Sequence, residues 1–295
     1  EPVTFDAQIA DTTLLTVNDD GLYQVPVGTT LTFLFTGNAD FISLLQEVFN
    51  ETSATLNFDT RVSWNDNDDN LQLFLSTTFE GLNGVDAHAD STRIASHEWT
   101  NLSAQCLWPD GRNDEQHSAV DLTAYRGQDI TLAFRYKTYS NDAFQPMFTI
   151  SNLKINNTVI KTGLPVDSIM ANNMGLRVFD MCNLVPDSVA YQSGSSQGIW
   201  DLDDYSSIVI RQTTKGKPLN EDWLITKPLT LLTGKTTTLS PQAIKNFYLN
   251  VDSYAYTFEE TGIYTLTFRA SNANYRHQSS TQRVFTFAVV ESVAS

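Results

Sequence analysis

The sequence predicts an all-β protein of two domains, and three observations support this fold class. Apolar and polar residues alternate with a period of two along much of the chain, as in Thr30–Thr36. Neither a long helical periodicity nor a tandem repeat is evident. Only 18% of the 295 residues are charged, while Thr, Ser and Asn are abundant, which suits exposed β-structure. The length is that of about two average domains.

The two ends of the chain read as halves of one β-sandwich. Thr30–Thr36 near the start alternates like Ala255–Phe258 and Tyr264–Ala270 near the end. Each fragment is too short to bury a core alone. If the fragments pair, the middle of the chain is a second domain inserted into a loop of the first. The predicted bounds are 1–52 and 241–295 for the discontinuous domain and 53–240 for the inserted one.

The alternation predicts further strands in chain order. These are Val3–Ile9, Thr55–Val62, Leu71–Ser76, Glu98–Cys106, Ile130–Tyr136, Phe148–Ile155, Arg177–Phe179, Gly198–Leu202, Ser207–Gln212, Ala243–Val251 and Arg283–Val290.

Five segments lack a clear strand pattern. Glu80–Ser96 is polar and is expected to be a long loop, while Asp40–Asn50 fits a strand or a short helix. A short helix is expected around Val166–Asn172. We expect Asn220–Leu231 to form a compact edge element and Thr233–Pro241 to form a linker.

Charge and cysteine content limit the classes of partner. The net charge of −16 repels phosphate backbones, so nucleic-acid binding is disfavoured. The same charge suits solubility, or the binding of a cation or a neutral glycan. Cys106 and Cys182 fit either one disulfide or two buried free thiols, and the histidines show no zinc-site spacing. The chain has no apolar run long enough to span a membrane.

Two parts of the chain resemble known modules. The end of the chain resembles the last strands of a PKD-like, immunoglobulin-like domain, through the strand Tyr254-Ala255-Tyr256 and the strand start Gly262-Ile263-Tyr264. The start of the chain through Asp40 resembles the early strands of the same domain. Residues 53–235 resemble adhesin-type jelly rolls. The segments that carry this second resemblance are Leu71–Phe79, Trp99, Val120–Tyr125, Ile130–Tyr136, Phe148–Ile155 and Asp222–Ile225.

Together these features resemble a family of surface lipoproteins of unknown function from gut-dwelling Gram-negative anaerobes. Its members often accompany Sus-like glycan uptake systems. The resemblance implies a location at the cell surface, on the outer membrane, through a lipidated cysteine that this sequence lacks at its start. It also implies an immunoglobulin-like sandwich that carries an inserted jelly roll. We expect a monomer.

A glycan site needs a flat aromatic face for sugar C–H groups, with polar hydrogen-bonding groups beside it. Trp108 stands in a turn-rich loop with such neighbours, Tyr139 precedes a polar stretch, and Trp64 precedes an acidic hairpin. The alternative for an aromatic residue in a sandwich is core packing, which we expect for Trp99, Trp200 and Trp223. The predicted ligand-binding residues are Trp108, Arg112, Asn113, Asp114, Tyr139 and Trp64.

Oxygen-bearing side chains alternate along the acidic hairpin at Asp66, Asp68 and Asn70. Calcium loops use this spacing, because one bend then presents several hard oxygen ligands. Leu71 stands where such a loop would carry its glycine, so a solvated hairpin tip is the alternative. A structural calcium ion is common in adhesin-type jelly rolls, which favours the metal interpretation. A weaker acidic cluster comprises Asp201, Asp203 and Asp204.

The sequence contains neither a G-x-S-x-G nor an H-E-x-x-H motif, and its glutamates form no recognisable acid–base pair. These absences favour a non-catalytic binding protein. The resemblance and the Trp108 loop together imply that it recognises a glycan or the host matrix at the outer membrane. The alternative is a protein-binding adhesin or a scaffold of a surface complex. A hydrolase would require two carboxylates about 5–9.5 Å apart in a cleft.

Overall fold

The computed structural model of the protein describes residues 2–64, 69–274 and 277–291. The chain forms two compact units. Unit 1 comprises Glu1–Glu51 and Gly234–Ser295, so it is built from both ends of the chain, and unit 2 comprises Thr52–Thr233.

Strands dominate both units, and the predicted all-β class is confirmed. The strands of the described residues are β1 (Phe5–Ile9), β2 (Thr16–Val17), β3 (Tyr23–Pro26), β4 (Thr30–Gly37), β5 (Phe41–Ser63), β6 (Leu71–Ser76), β7 (Thr100–Asn101), β8 (Glu115–Asp121), β9 (Asp129–Lys137), β10 (Met147–Val159), β11 (Pro165–Met170), β12 (Arg177–Asp180), β13 (Trp200–Asp201), β14 (Ser207–Ile210), β15 (Glu221–Ile225), β16 (Leu229–Thr230), β17 (Gly234–Thr238), β18 (Gln242–Lys245), β19 (Ser253–Thr257), β20 (Gly262–Asn274) and β21 (His277–Val290).

Among the residues that the structure describes, helical structure occurs in unit 2 alone. The α-helices of the described residues are α1 (Ala87–Ser96) and α2 (Asp187–Ala190), and the 3-10 turns are Ser103–Gln105, Thr123–Tyr125 and Ala171–Asn173. None of these helices has the length and hydropathy that crossing a bilayer requires.

Unit 1 is a sandwich of two sheets. One sheet has the order β1-β4-β19. In the other, residues 41–51 of β5 pair with β20 on one side and with β17 and β18 on the other. That sheet continues from β20 to β21, β3 and β2, with β21 and β3 parallel. Phenylalanines fill the space between the sheets: the Phe33 ring lies 4.8 Å from Phe268 and 5.1 Å from Phe285.

Strand β4 near the start of the chain pairs with β19 near its end, with Phe33 opposite Tyr254. Consequently neither end of the chain encloses the core of unit 1 without the other. Apolar residues that alternate along β4 face this core, which explains their spacing of two.

Unit 2 also contains two sheets. The first has the order β13-β14-β10-β5, with β8 also paired to residues 55–61 of β5. The second has the order β12-β15-β9-β6-β7. Leu73 and Phe134 of the second sheet face the core between the sheets, while Phe74 and Trp223 face the opposite side. That outer face is covered by α1 through the buried Ile94, so the second sheet is buried on both faces.

The expected long loop at Glu80–Ser96 was wrong, because α1 occupies most of it. Asp86 caps α1: its carboxylate accepts a hydrogen bond from the Ala89 N–H at 2.9 Å. Only Ala87, Asp90 and Ile94 of this helix are buried. A helix with so few buried apolar residues gives almost no 3.6-residue periodicity, and its N-cap was the available signal.

Three other local expectations were also wrong. The short helix expected around Val166–Asn172 is strand β11 followed by a 3-10 turn. The expected edge element contains β15, which lies between β12 and β9 and is therefore central in its sheet. The expected linker contains β17, which pairs with residues 47–51 of β5. The ambiguous Asp40–Asn50 segment is a strand.

Candidate functional site

Several loops meet at one end of unit 2. Strand β5 ends at Ser63, directly opposite Met147 at the start of β10, and β8 begins with Glu115 opposite Arg61. The loop 138–146 connects β9 to the same end of β10. We call this the loop end of unit 2 and define it by Trp64, the loop 109–114 and the loop 138–146.

The loop end brings together Trp64 and Arg112, two residues that the sequence analysis selected separately. The Trp64 side chain is 53% exposed and its backbone φ is 73°. The Arg112 guanidinium carbon lies 5.7 Å from the centre of the Trp64 ring, which is the geometry of a cation–π contact. This contact orients the indole ring at the surface.

The loop that carries Arg112 is held by hydrogen bonds to β5. The Asn113 N–H donates to the Val62 carbonyl at 2.8 Å, and the Val62 N–H donates to the Asp114 carbonyl at 3.2 Å. Asn113 has a positive φ of 67°, a conformation that asparagine tolerates well. The Asp114 carboxylate accepts from Gln116 Nε2 at 3.0 Å, and this bond lowers the pKa of Asp114. Asp114 therefore fixes the loop from within.

Trp108 lies at the margin of the core of unit 2 and is half-buried. Its indole N–H donates to the Ser103 carbonyl at 3.0 Å, and its ring centre lies 6.0 Å from that of Phe58. Because the indole polar group already has a partner and the ring packs on Phe58, Trp108 supports the loop end more than it presents a free aromatic face.

The loop 138–146 presents two more aromatic side chains, Tyr139 (48% exposed) and Phe144 (53% exposed). The loop is braced by the segment before β15, because the Gln145 N–H donates to the Thr213 carbonyl at 3.0 Å. Tyr139 was expected from the sequence, whereas Phe144 was not. The available signal was the presence of two aromatic residues in one polar loop.

The predicted calcium ligands Asp66 and Asp68 lie outside the described residues. Asn70 is buried: its side-chain amide donates to the Lys137 carbonyl at 2.8 Å, so it joins β6 to β9. Within the described residues, no group of three or more His, Cys, Asp or Glu side chains is placed to hold a metal ion.

The weaker acidic cluster is engaged within the protein. The Asp201 carboxylate lies 3.3 Å from the Arg211 guanidinium, and it also accepts from the Asp203 N–H at 3.2 Å. The Asp204 carboxylate accepts from the N–H and the hydroxyl of Ser206 at 2.8 and 2.7 Å. These hydrogen bonds from Ser206 lower the pKa of Asp204.

A cleft of about 520 Å³ lies elsewhere on unit 2. Its lining includes Tyr205 and Met170, which are both partly exposed, and the amides of Asn152 and Asn172. An aromatic ring beside amide groups also meets the requirements of a sugar site. This cleft is the competing candidate site of unit 2.

A histidine–aspartate pair lies beside this cleft. His117 Nδ1 is 2.5 Å from the Asp59 carboxylate, which also accepts from the Asn152 amide. The Asn152 hydrogen bond is the main cause of the lowered pKa of Asp59, although partial burial opposes it. Across the sheet the order is His117, Asp59, Ser151. A catalytic triad requires the histidine between the other two residues, so these three residues do not form one.

Two carboxylates are sealed inside unit 2. Asp180 and Asp222 stand opposite each other on β12 and β15, and Asp222 is 1% exposed. Asp180 accepts hydrogen bonds from the N–H groups of Cys182 and Asn183, at 2.7 and 3.0 Å. Asp222 Oδ2 has no hydrogen-bond partner. Burial, and secondly the charge of Asp180, raise the pKa of Asp222 strongly. The pair is closed to a polymeric substrate.

Both cysteines are free thiols, so the structure does not contain the disulfide that the sequence left open. Cys106 is buried, and burial raises the pKa of its thiol to about 12. Such a thiol is almost wholly protonated at neutral pH and is a poor nucleophile.

The comparisons with known proteins identify a family without assigning an activity. No curated protein matches the chain. The profile of a domain of unknown function, DUF5017, matches residues 6–175, which is more than half of the 295 residues. The match begins in β1 of unit 1 and extends through β11 of unit 2. The chain therefore belongs to the DUF5017 family.

Proposed function

We propose that this protein is a non-catalytic carbohydrate-binding protein and that the loop end of unit 2 holds the glycan. The observation that carries the proposal is the grouping of three exposed aromatic side chains, Trp64, Tyr139 and Phe144, at one end of the sandwich. Sugar rings bind aromatic faces through their C–H groups and polar neighbours through their hydroxyls. Arg112 and Asn113 are such polar neighbours.

The charge and the carboxylates of the protein support a neutral ligand and a non-catalytic role. A net charge of −16 disfavours acidic polysaccharides and nucleic acids as ligands. The inward-facing pair Asp180 and Asp222 lies away from solvent, whereas glycoside hydrolysis needs two carboxylates that flank the bound sugar.

The family resemblance described above extends the proposal to the place of action. We propose that the protein is a monomer at the cell surface, held on the outer membrane through a lipid anchor. In this proposal unit 1 is immunoglobulin-like and unit 2 is an inserted jelly roll.

A structural calcium ion at Asp66 and Asp68 is also proposed. Calorimetry with the chelated protein before and after calcium addition tests it, and no saturable heat would contradict it.

A glycan array followed by calorimetry on the best ligand tests the carbohydrate-binding proposal. The Trp64→Ala variant is expected to bind at least about tenfold more weakly, because it removes the indole face on which the sugar C–H groups pack. The matched control is Tyr205→Ala, which removes the aromatic ring of the competing cleft. Loss of binding in Tyr205→Ala alone would move the site to that cleft, and the absence of any glycan ligand would overturn the proposal.

A second candidate function, protein-binding adhesion, is favoured by one feature of unit 1. The turn between β18 and β19 presents Phe247, Tyr248 and Leu249 to solvent, and Tyr248 is 94% exposed. The turn is ordered by the Asn246 side chain, which accepts a hydrogen bond from the Tyr248 N–H at 3.0 Å. Exposed adjacent apolar side chains commonly mark protein contacts.

Surface plasmon resonance on immobilised matrix proteins separates the two functions. Adhesion through the turn predicts binding that Tyr248→Ser abolishes and Trp64→Ala leaves unchanged. No binding to any matrix protein, or equal binding by both variants and the unaltered protein, would contradict adhesion through this turn.

A further inference from the structure

The sequence contains a single asparagine–glycine pair, Asn83-Gly84, and it stands in the loop that precedes α1. Asn83 is exposed and Gly84 is partly buried. An asparagine before a glycine is chemically labile, because no side chain hinders the glycine nitrogen as it approaches the side-chain carbonyl carbon of asparagine. The product of that attack is a five-membered cyclic imide. The groups around the pair decide whether the fold hinders or assists the ring closure.

The nitrogen that would attack is hydrogen-bonded to a buried carboxylate. The Gly84 N–H donates to Asp90 Oδ2 at 2.9 Å, and the Asn83 N–H donates to Asp90 Oδ1 at 2.9 Å. Asp90 lies in α1 and is fully buried. A carboxylate at hydrogen-bond distance from an N–H group is placed to take its proton as a general base. Asp90 therefore increases the electron density on the nucleophilic nitrogen.

The carbonyl group that would be attacked is hydrogen-bonded to two backbone donors. Asn83 Oδ1 accepts from the Val85 N–H at 2.9 Å and from the Asp86 N–H at 3.0 Å. Two backbone N–H groups at this distance form an oxyanion hole, which stabilises the negative charge that develops on a carbonyl oxygen when its carbon becomes tetrahedral. The same two bonds orient the Asn83 side chain beside the Gly84 nitrogen.

The fold also requires the glycine of the pair. Gly84 has a φ of 78°, and Arg177 Nη2 lies 2.1 Å from the position that a Cβ atom would take on this residue. A side chain at position 84 would strain the backbone and displace the guanidinium. That guanidinium is held by a hydrogen bond from Arg177 Nη1 to the Leu82 carbonyl at 3.2 Å. Its positive charge favours proton loss from the neighbouring Gly84 nitrogen.

We propose that Asn83 is a modification site at which the protein catalyses its own imide formation. Asp90 takes the proton of the Gly84 N–H, and the Gly84 nitrogen forms a bond to Cγ of Asn83. The charge on Oδ1 is held by the Val85 and Asp86 N–H groups. The bond between Cγ and Nδ2 then breaks, and Nδ2 leaves as ammonia with the proton that came from Gly84.

Water then opens the imide at either of its carbonyl groups. One product is aspartate and the other is isoaspartate, which adds a methylene group to the backbone before Gly84. The added methylene displaces the Gly84 N–H from Asp90, so it weakens the polar anchor of α1. The conversion is independent of the proposed glycan site, and we expect the isoaspartate form of unit 2 to be less stable than the original form.

Peptide mapping by mass spectrometry tests the proposal on the full chain at neutral pH. The rate of amide-to-acid conversion at Asn83 is measured in the native protein and in the same protein unfolded in urea, and an isoaspartate methyltransferase assay detects the rearranged product. The native protein is expected to convert at least about fivefold faster, because unfolding removes the base and the oxyanion hole. An equal or slower rate in the native protein would overturn the proposal.

Two variants separate the role of Asp90 from that of the loop as a whole. Asp90→Ala is expected to slow the conversion at least about fivefold. The matched control is Asp86→Ala, which removes a carboxylate from the same segment and keeps both backbone donors to Asn83, so its rate should stay within about twofold of the unaltered protein. Equal rates in the two variants would overturn the proposal. Circular dichroism checks that each variant is folded, and if Asp90→Ala is not, the comparison of native and urea-unfolded protein decides.

Discussion

The two units solve the problem of enclosing a core in different ways. Unit 1 joins strands from both ends of the chain, and its core is a cluster of phenylalanines that includes Phe33 and Phe268. Unit 2 is continuous in sequence, and all five tryptophans lie in it. Its second sheet is buried on both faces, with α1 on the outer side. Unit 1 therefore depends on contacts between the two distant ends of the chain. The core of unit 2 is formed by residues of one continuous stretch of the chain.

The substitution with the largest expected effect disrupts the core of unit 1 and leaves the core of unit 2 intact. Phe33→Ala removes a fully buried ring that contacts Phe268, Phe285 and Phe287, and it should cost about 3–5 kcal/mol. Phe58→Ala removes a fully buried ring from unit 2 and serves as the matched variant. Urea unfolding is followed by tryptophan fluorescence, which reports unit 2, and by far-UV circular dichroism, which reports both units.

We expect Phe33→Ala to shift a circular dichroism transition and to leave the tryptophan transition in place. Phe58→Ala should shift the tryptophan transition. If Phe33→Ala moved the tryptophan transition as far as Phe58→Ala does, the two units would unfold as one and the comparison would fail.

The next effect concerns the buried polar anchor of α1. The Asp90 carboxylate accepts hydrogen bonds from the N–H groups of Asn83 and Gly84, each at 2.9 Å, and from the Tyr191 hydroxyl at 2.8 Å. Asp90→Ala leaves all three donors without this acceptor and should lower the free energy of unfolding of unit 2 by about 3 kcal/mol. Tyr191→Phe removes only the hydroxyl donor and should lower the free energy of unfolding by about 1 kcal/mol. Equal costs would show that the network does not act through Asp90.

A smaller effect depends on pH and on the buried pair Asp180 and Asp222. The folded-state pKa of Asp222 is raised above its unfolded value. The contribution of Asp222 to the free energy of unfolding is therefore fully present below about pH 4, the unfolded pKa. The contribution is lost as the pH rises through the folded pKa, because an ionised Asp222 is buried beside Asp180. Asp222→Asn keeps a neutral side chain at all pH values.

The expected result is that Asp222→Asn unfolds at higher urea concentration than the unaltered protein at pH 8, by on the order of 2 kcal/mol. The advantage should shrink as the pH falls toward 4. Parallel stability curves for the two proteins between pH 4 and 8 would show that Asp222 is not protonated in the folded state.

The smallest effect is at the N-cap of α1. Asp86→Ala removes the carboxylate that accepts from the Ala89 N–H and should cost about 1 kcal/mol in the stability of unit 2. Asp86→Asn, which keeps an accepting oxygen, should be close to neutral. A tryptophan unfolding midpoint that is unchanged in Asp86→Ala would contradict the role of this cap.

The sequence predicted the parts of the structure that have a period of two. Strands such as β4 and β9 were recognisable because their apolar residues face a core. Helix α1 was missed because Ala87 and Ile94 are its only buried apolar residues, which gives too weak an apolar periodicity to recognise. The central position of β15 was missed because strand order within a sheet depends on distant pairing, which alternation does not encode.

The candidate sites show the same limit. Trp64 and Arg112 were each selected from the sequence. Their contact depends on the conformations of two loops that are distant in the sequence, which could not be predicted. Trp108 was expected to be an exposed platform, and the direction of its indole N–H toward Ser103 could not be read from the sequence.

The exposure of Trp64 offers the most direct test of the proposed glycan site. Trp64 is the most exposed of the five tryptophans, so acrylamide should quench its fluorescence most strongly. With a glycan ligand at saturation, the quenching constant should fall in the unaltered protein, and Trp64→Phe should show weak quenching with and without ligand. A quenching constant that does not change when the glycan is bound would contradict the placement of the ligand at the loop end of unit 2.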